Sequence, residues 1–289
     1  MESRLPMALS AACCGASLAV AGLVMQTTFQ NPLAGPSVLG VSSGASLGVA
    51  VIMLGATAGL PLMSAGLQSL FSVVGALIGA AAVTGLLAIF SSVLRNGVML
   101  LIAGMMLSYV SSSLISLLNF FAPAEGVRSY MLWGLGSFAG VRIADCGWFL
   151  SFTAFALFAG LFYIKPLNAL LLGERYASSM GYSMKRLRFG LLCVSGIQVG
   201  VPTAFCGPIG FIGLVAPHIC RLVLRSSNHA ILYPACILGG AALAMGCALL
   251  SVLPASSFGV IPVNVITPLI GVPVIIYILV NRDRILYFN

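Results

Sequence analysis

Nine apolar runs, at about 8–30, 41–60, 66–93, 98–121, 147–165, 189–206, 208–225, 229–253 and 262–281, fill most of this 289-residue chain. Each approaches the roughly 20 residues that an α-helix needs to cross a hydrocarbon layer about 30 Å thick. A helix satisfies its own backbone hydrogen bonds, which lipid cannot do for it, so runs of this length fold as spanning helices. Composition agrees, with 60% hydrophobic and only 6% charged residues, against about 25% charged in soluble domains. The expectation is a single all-α polytopic membrane domain over residues 1–289, with about nine transmembrane helices.

The charges set an orientation. A net charge of +8 arises from basic residues placed in the gaps between apolar runs, and they form no stripe that would grip nucleic acid. An odd number of spans puts the termini on opposite sides. With the C-terminus in the cytoplasm, ten basic residues lie inside (Arg95, Lys165, Arg175, Lys185, Arg186, Arg188, Arg221, Arg225, Arg282, Arg284) and three outside (Arg4, Arg128, Arg142). That is the bias expected of cytoplasmic loops. The first run is too long for the apolar core of a cleavable signal and is expected to stay as a span.

Several local features refine the picture. Pro123 to Asp145 is too broken to span, yet Tyr130-Met131-Leu132-Trp133 inside it reads as a short helix on the outer face, with Tyr130, Trp133 and Trp148 at headgroup level. Gly44 with Gly48, Gly75 with Gly79 and Gly240 with Gly246 have the spacing that lets helix backbones approach closely in lipid. Pro202, Pro208, Pro217, Pro268 and Pro273 interrupt the last spans. Broken helices at membrane depth must face protein or a water-filled cavity, so this half of the chain is expected to line something. The eight cysteines show no metal-ligand spacing, and a Cys146–Cys206 bridge is an open possibility.

What is missing is as informative. There is no Gly-Lys dipeptide and hence no phosphate-binding P-loop. Glu2, Glu125, Asp145, Glu174 and Asp283 all fall in connections or at span ends, whereas ion-driven carriers place ionisable groups at mid-bilayer. Energy must therefore come from elsewhere, and a stand-alone secondary transporter is the first competing reading. The second is an intramembrane protease, because Gly40-Val41-Ser42-Ser43-Gly44 matches Gly-x-Ser-x-Gly and His218 is available as a base. No strand-to-helix elbow is expected around Ser42.

The longest cytoplasmic connection, residues 166–188, carries much of the basic charge. Within it Leu172, Tyr176 and Met180 repeat at i, i+4 and i+8, which would place them on one helical face. An apolar face on a cytoplasmic loop needs a protein partner to bury it.

Five stretches, in order, resemble the permeases of ABC importers for iron-siderophore complexes, haem and vitamin B12, the FecCD-type family. They are GLVMQTTFQNPLAGPSVLGVSSGASLG (22–48), YMLWGLGSF (130–138), LLGERYASSMG (171–181), GPIGFIGLVAPHICRLV (207–223) and IPVNVITPLIGVPVIIYIL (261–279). The resemblance covers almost the whole chain. It implies a ten-span fold of which this sequence starts at the second span, with RLPMAL (4–9), in keeping with nine spans and an external N-terminus.

The resemblance further implies a bacterial inner-membrane protein that acts as a homodimer, with two cytoplasmic ATPase subunits that bind ATP and Mg and an extracytoplasmic substrate-binding protein. The chain itself would hold no cofactor or metal and be no enzyme. Leu172, Gly173, Glu174, Arg175, Tyr176, Met180 and Gly181 match the coupling helix that seats in the ATPase. Asn31, Pro32, Leu33, Leu101 and Ile102 match the cytoplasmic gate, and Pro217, His218 and Arg221 the family's PHxxR element. Arg4 and Arg128 are the candidates for docking the binding protein. Where other members carry further arginines near the outer end of the penultimate span, this chain has SVLPASS (251–257).

Overall fold

A computed structural model describes residues 4–56, 65–94, 97–253 and 260–280. Arg95, Arg282, Asp283, Arg284, Glu2 and most of the SVLPASS stretch lie outside the described residues. Among the described residues twelve helices follow one another: α1 (Arg4–Thr28), α2 (Val41–Ala56), α3 (Ala65–Val93), α4 (Gly97–Phe121), α5 (Ala124–Gly134), α6 (Ile143–Leu161), α7 (Ile164–Leu171), α8 (Glu174–Ser179), α9 (Met184–Cys206), α10 (Ile212–Leu224), α11 (His229–Val252) and α12 (Val263–Val280). Six of them, α1, α3, α4, α6, α9 and α11, are long and apolar enough to cross a membrane, and α2, α10 and α12 are shorter apolar helices. The nine apolar runs thus become nine apolar helices.

The bundle is assembled around α1, which packs against α6, α7, α9, α10 and α11. Small residues make this possible. A Cβ on Gly22 would sit 1.6 Å from the Gly213 carbonyl oxygen, and one on Gly15 would sit 2.1 Å from that of Gly240. The spacing of Gly44 and Gly48 against Gly75 and Gly79 has the expected effect: α2 and α3 touch backbone to backbone, with Gly48 facing Gly75 and Gly44 facing Gly79. Gly246, by contrast, has open space around it, and the partner of Gly240 lies on α1 rather than in its own run.

The run 208–225 is not one continuous spanning helix. Gly207 to Phe211 are non-helical, Phe211 takes a positive φ of 66°, and only the 13 residues of α10 are helical. At 1.5 Å per residue α10 is about 20 Å long, too short to cross alone. Pro208 with Gly207 and Gly210 supplies the break, and its backbone groups must find partners elsewhere.

α5 forms as expected, but two of its aromatic residues do not face outward. Tyr130 and Trp133 stack on each other at 6.0 Å and pack against the core, while Met131 and Leu132 are exposed. Of the three residues assigned to the headgroup level, only Trp148 is largely exposed. All eight cysteines are free thiols, so Cys146 and Cys206 are not bridged.

Candidate functional site

α9 is 23 residues long, about 34 Å, and it separates two polar ends. Its Cys206 end meets the α5 region, where Ser137 N–H donates to the Cys206 carbonyl at 2.9 Å. At its Met184 end α8 is tied down, by an ion pair between Glu174 and Arg188.

Beside the non-helical segment lies a cavity of about 600 Å³, lined by Ser37, Ser42, Ser43 and Ser46 from α2 and the loop before it, Ser112 and Ser116 from α4, Tyr130, residues 208–211, Asn264 and Pro268. Among the described residues no charged side chain lines it. Ser112 and Ser116 stand one helical turn apart on the exposed side of α4. Burial pushes the Tyr130 phenol above its ordinary value, the Ser46 side chain acting in the opposite direction, so it stays a neutral hydroxyl whose O–H reaches the Ser46 carbonyl at 3.5 Å.

Asn264, at the start of α12, holds the broken segment in place. Its Nδ2 donates to the Pro208 carbonyl at 2.5 Å and to the Gly134 carbonyl at 3.4 Å, and its Oδ1 accepts from Gly210 N–H at 3.1 Å. One donor and the acceptor thereby stand in for helical bonds within Gly207–Phe211, and the second donor, to Gly134, joins α5 to the break and α12 at one wall of the cavity. Nothing in the sequence pattern singled out Asn264. Its only signal is a neutral polar residue at the start of an apolar run.

At the Met184 end of α9 the loop after α1 meets α10. His218 Nε2 bonds the Pro32 carbonyl at 2.8 Å, and Arg221 Nη1 donates to Gln26 Oε1 at 2.6 Å, while Gln26 Nε2 reaches the Leu214 carbonyl at 3.2 Å. Asn31 Oδ1 caps Leu33 N–H at 2.9 Å. Gln30 takes a positive φ of 46° and donates its Nε2 to the Leu170 carbonyl at 3.0 Å. Leu33 and Ile102 are exposed, and Leu101 packs against the core. His218 is thus occupied by Pro32, and Ser42 lines the cavity at the first turn of α2. Among the described residues there is no strand before it, so the context that gives Gly-x-Ser-x-Gly its catalytic meaning is missing.

In the loop 166–188, Gly173 (φ 101°) and Gly181 (φ 90°) bound the six-residue α8. The turn at Gly173 places Leu172 at the C-cap of α7 instead of on α8, so the three residues do not repeat along one continuous helix. Leu172, Tyr176 and Met180 are nonetheless 60%, 47% and 56% exposed, whereas Ala177 is buried against the cluster that contains Leu167, Leu170 and Leu187. Glu174 is engaged by Arg188 within the chain, and Arg175 is exposed. Arg4 and Arg128 are both exposed, Arg4 at the start of α1 and Arg128 on α5.

The model of the FecCD transport family matches residues 1–281. The chain belongs to the FecCD transport family. It is 37% identical over 289 residues to the vitamin B12 import system permease protein BtuC of Klebsiella pneumoniae subsp. pneumoniae, covering 98% of this chain and 83% of that protein. The Shigella flexneri protein of the same name is 36% identical, covering 98% of this chain and 84% of the relative. A solved inward-facing structure of a protein assigned to the metal-chelate type of ABC transporter superposes with a TM-score of 0.86 at 30% identity, over 96% of this chain and 86% of that one. Membership makes the chain a multi-pass permease that is not itself an enzyme, against the protease reading of the sequence.

Proposed function

We propose that this chain is the permease subunit of a type II ABC importer in a bacterial inner membrane, with its C-terminus in the cytoplasm, and that it carries a metal chelate inward as a homodimer. The observation that carries this reading is the uncharged cavity of six serines and Asn264 beside a broken span, in a member of a transport family. An uncharged, hydroxyl-rich wall forms exchangeable hydrogen bonds to a bulky polar solute without holding it as a charged site would. Two copies facing each other across a dimer axis would enclose a wider pathway. Among chelates of the iron-siderophore, haem and cobalamin kinds, the vitamin B12 permeases among the relatives favour cobalamin.

In this reading Leu172, Tyr176 and Met180, with Gly173, Glu174, Arg175 and Gly181 shaping the helix, form the surface that docks on an ATPase subunit. ATP and Mg bind there and not to this chain. Asn31, Pro32, Leu33, Leu101 and Ile102 narrow the cytoplasmic end of the pathway, held by Pro217, His218 and Arg221 of α10. Arg4 and Arg128 meet the acidic surface of a binding protein, each exposed pair contributing about 0–1 kcal/mol. ATP binding closes the ATPases and shifts the permease between outward- and inward-open populations. Proteoliposomes test the reading: uptake of cobalamin is expected only with ATPase, binding protein and ATP present. Uptake driven by an ion gradient through the permease alone would overturn it.

A further inference from the structure

A chain of four neutral side chains runs from α7 through the start of α11 to the end of α1, and its hydrogen-bond polarity is fixed by one of its ends. Asn228 caps α11, its Oδ1 accepting from Ala230 N–H at 2.9 Å. That oxygen also receives Asn168 Nδ2 at 2.9 Å, so Asn168 must turn its Oδ1 the other way. There it accepts from His229 N–H at 2.8 Å and faces His229 Nδ1 at 2.8 Å. An amide oxygen cannot donate, so Nδ1 carries the proton of a neutral imidazole and Nε2 is left as the acceptor. Thr27 Oγ1 lies 2.8 Å from Nε2, closer than the 3.0 Å to the Leu23 carbonyl, and gives its proton to the ring.

The chain therefore reads Thr27 to His229 to Asn168 to Asn228, each donating to the next. Thr27 and His229 are wholly buried, so breaking one link leaves polar groups without water to replace it. Both ends matter mechanically. Asn168 lies on α7, onto which α8 packs through Ala177, and two residues later the Leu170 carbonyl receives Gln30. Thr27 lies in the last turn of α1, immediately before the loop of Asn31 to Leu33.

We infer that Asn168, His229 and Thr27 are positioning residues that fasten the α7–α8 pair to the end of α1, so that displacement of α8 moves the 29–34 loop instead of being absorbed by a slack joint. The inference rests on the function proposed above, but its first test does not. In the isolated permease, the amides of Phe29, Gln30, Asn31, Leu33 and Ala34 are all hydrogen-bonded. Asn168→Ala, His229→Ala and Thr27→Val are each expected to raise hydrogen exchange there about tenfold, while α3 and α9 keep the wild-type rate. Thr27→Ser, which retains the hydroxyl, restores protection.

In the reconstituted importer the same three substitutions lower substrate transported per ATP about tenfold, with ATPase copurification unchanged. Unchanged exchange at 29–34 overturns the inference, as does a rise spread evenly over the bundle or wild-type transport per ATP. Uptake that needs no ATPase would overturn the proposed function instead, and the exchange result would still decide the relay.

Discussion

α1 and α4 have the same mean hydropathy, 2.0 over their most apolar windows, yet 78% of that window is buried inside the molecule in α1 and 17% in α4. Hydropathy records that each can lie in a bilayer and not which neighbour it meets there. Side-chain size and placement separate them. α1 carries Gly15, Gly22 and a series of alanines, with Ser17, Gln26 and Thr27 directed at partners inside the bundle. α4 presents Met106, Tyr109, Val110, Leu117 and Phe120 outward, with serines along one side. In lipid, association depends on close packing and on polar contacts, so the small and polar helix becomes the centre and the large apolar helix the rim.

The sharpest way to break this comparison is overpacking. Gly22→Leu on α1 drives a side chain into the Gly213 backbone, which no rotamer relieves, and is expected to cost more than about 3 kcal/mol, the upper end for core insertions. The expected result is loss of the monodisperse peak in size-exclusion chromatography. Val110→Leu on α4 should change stability by no more than about 0.5 kcal/mol. Comparable behaviour of the two variants would show that α1 is not the centre of the bundle.

The serine side of α4 gives the next largest effect. Ser112→Leu with Ser116→Leu removes two hydroxyls from the cavity wall while leaving the fold intact, because both side chains are exposed. Uptake is expected to fall about tenfold, roughly 1.4 kcal/mol, with ATP hydrolysis unchanged. Wild-type uptake would place the pathway elsewhere. A smaller effect is expected at the other end. Asn31→Ala with Leu33→Ala removes the cap on Leu33 N–H and an exposed leucine, so passive leak should rise about twofold and coupling fall with ATPase binding retained.

Much of this was legible in the sequence. The nine apolar runs became nine apolar helices because length and hydropathy alone set what can lie in lipid. The glycine pairs of α2 and α3 found each other because the spacing is shared by both helices.

Of the five prolines expected to interrupt spans, only Pro208 does so, at the break 207–211, while Pro202, Pro217, Pro268 and Pro273 lie inside continuous helices. The sequence did not reveal Asn264, Asn168 or His229. A neutral polar side chain at the edge of a span has no periodicity, and its meaning appears only when partners 54 to 202 positions away are brought to it. Leu172 was assigned to the face of α8 by helical spacing, and the turn at Gly173 interrupts that spacing.

In the proposed function the exposed apolar surface at the α8 end belongs to a partner that supplies ATP. Burial of Tyr176 and Met180 would contribute on the order of 1.5–3 kcal/mol each, enough to dominate a small contact, whereas Arg175 would set orientation more than affinity. Tyr176→Asp combined with Met180→Asp tests the claim, because both side chains are exposed and their loss leaves the bundle packing intact. The double variant is expected to purify as a folded dimer but to lose copurification with the ATPase and all ATP-dependent uptake. Retained ATPase binding by that dimer would contradict the account.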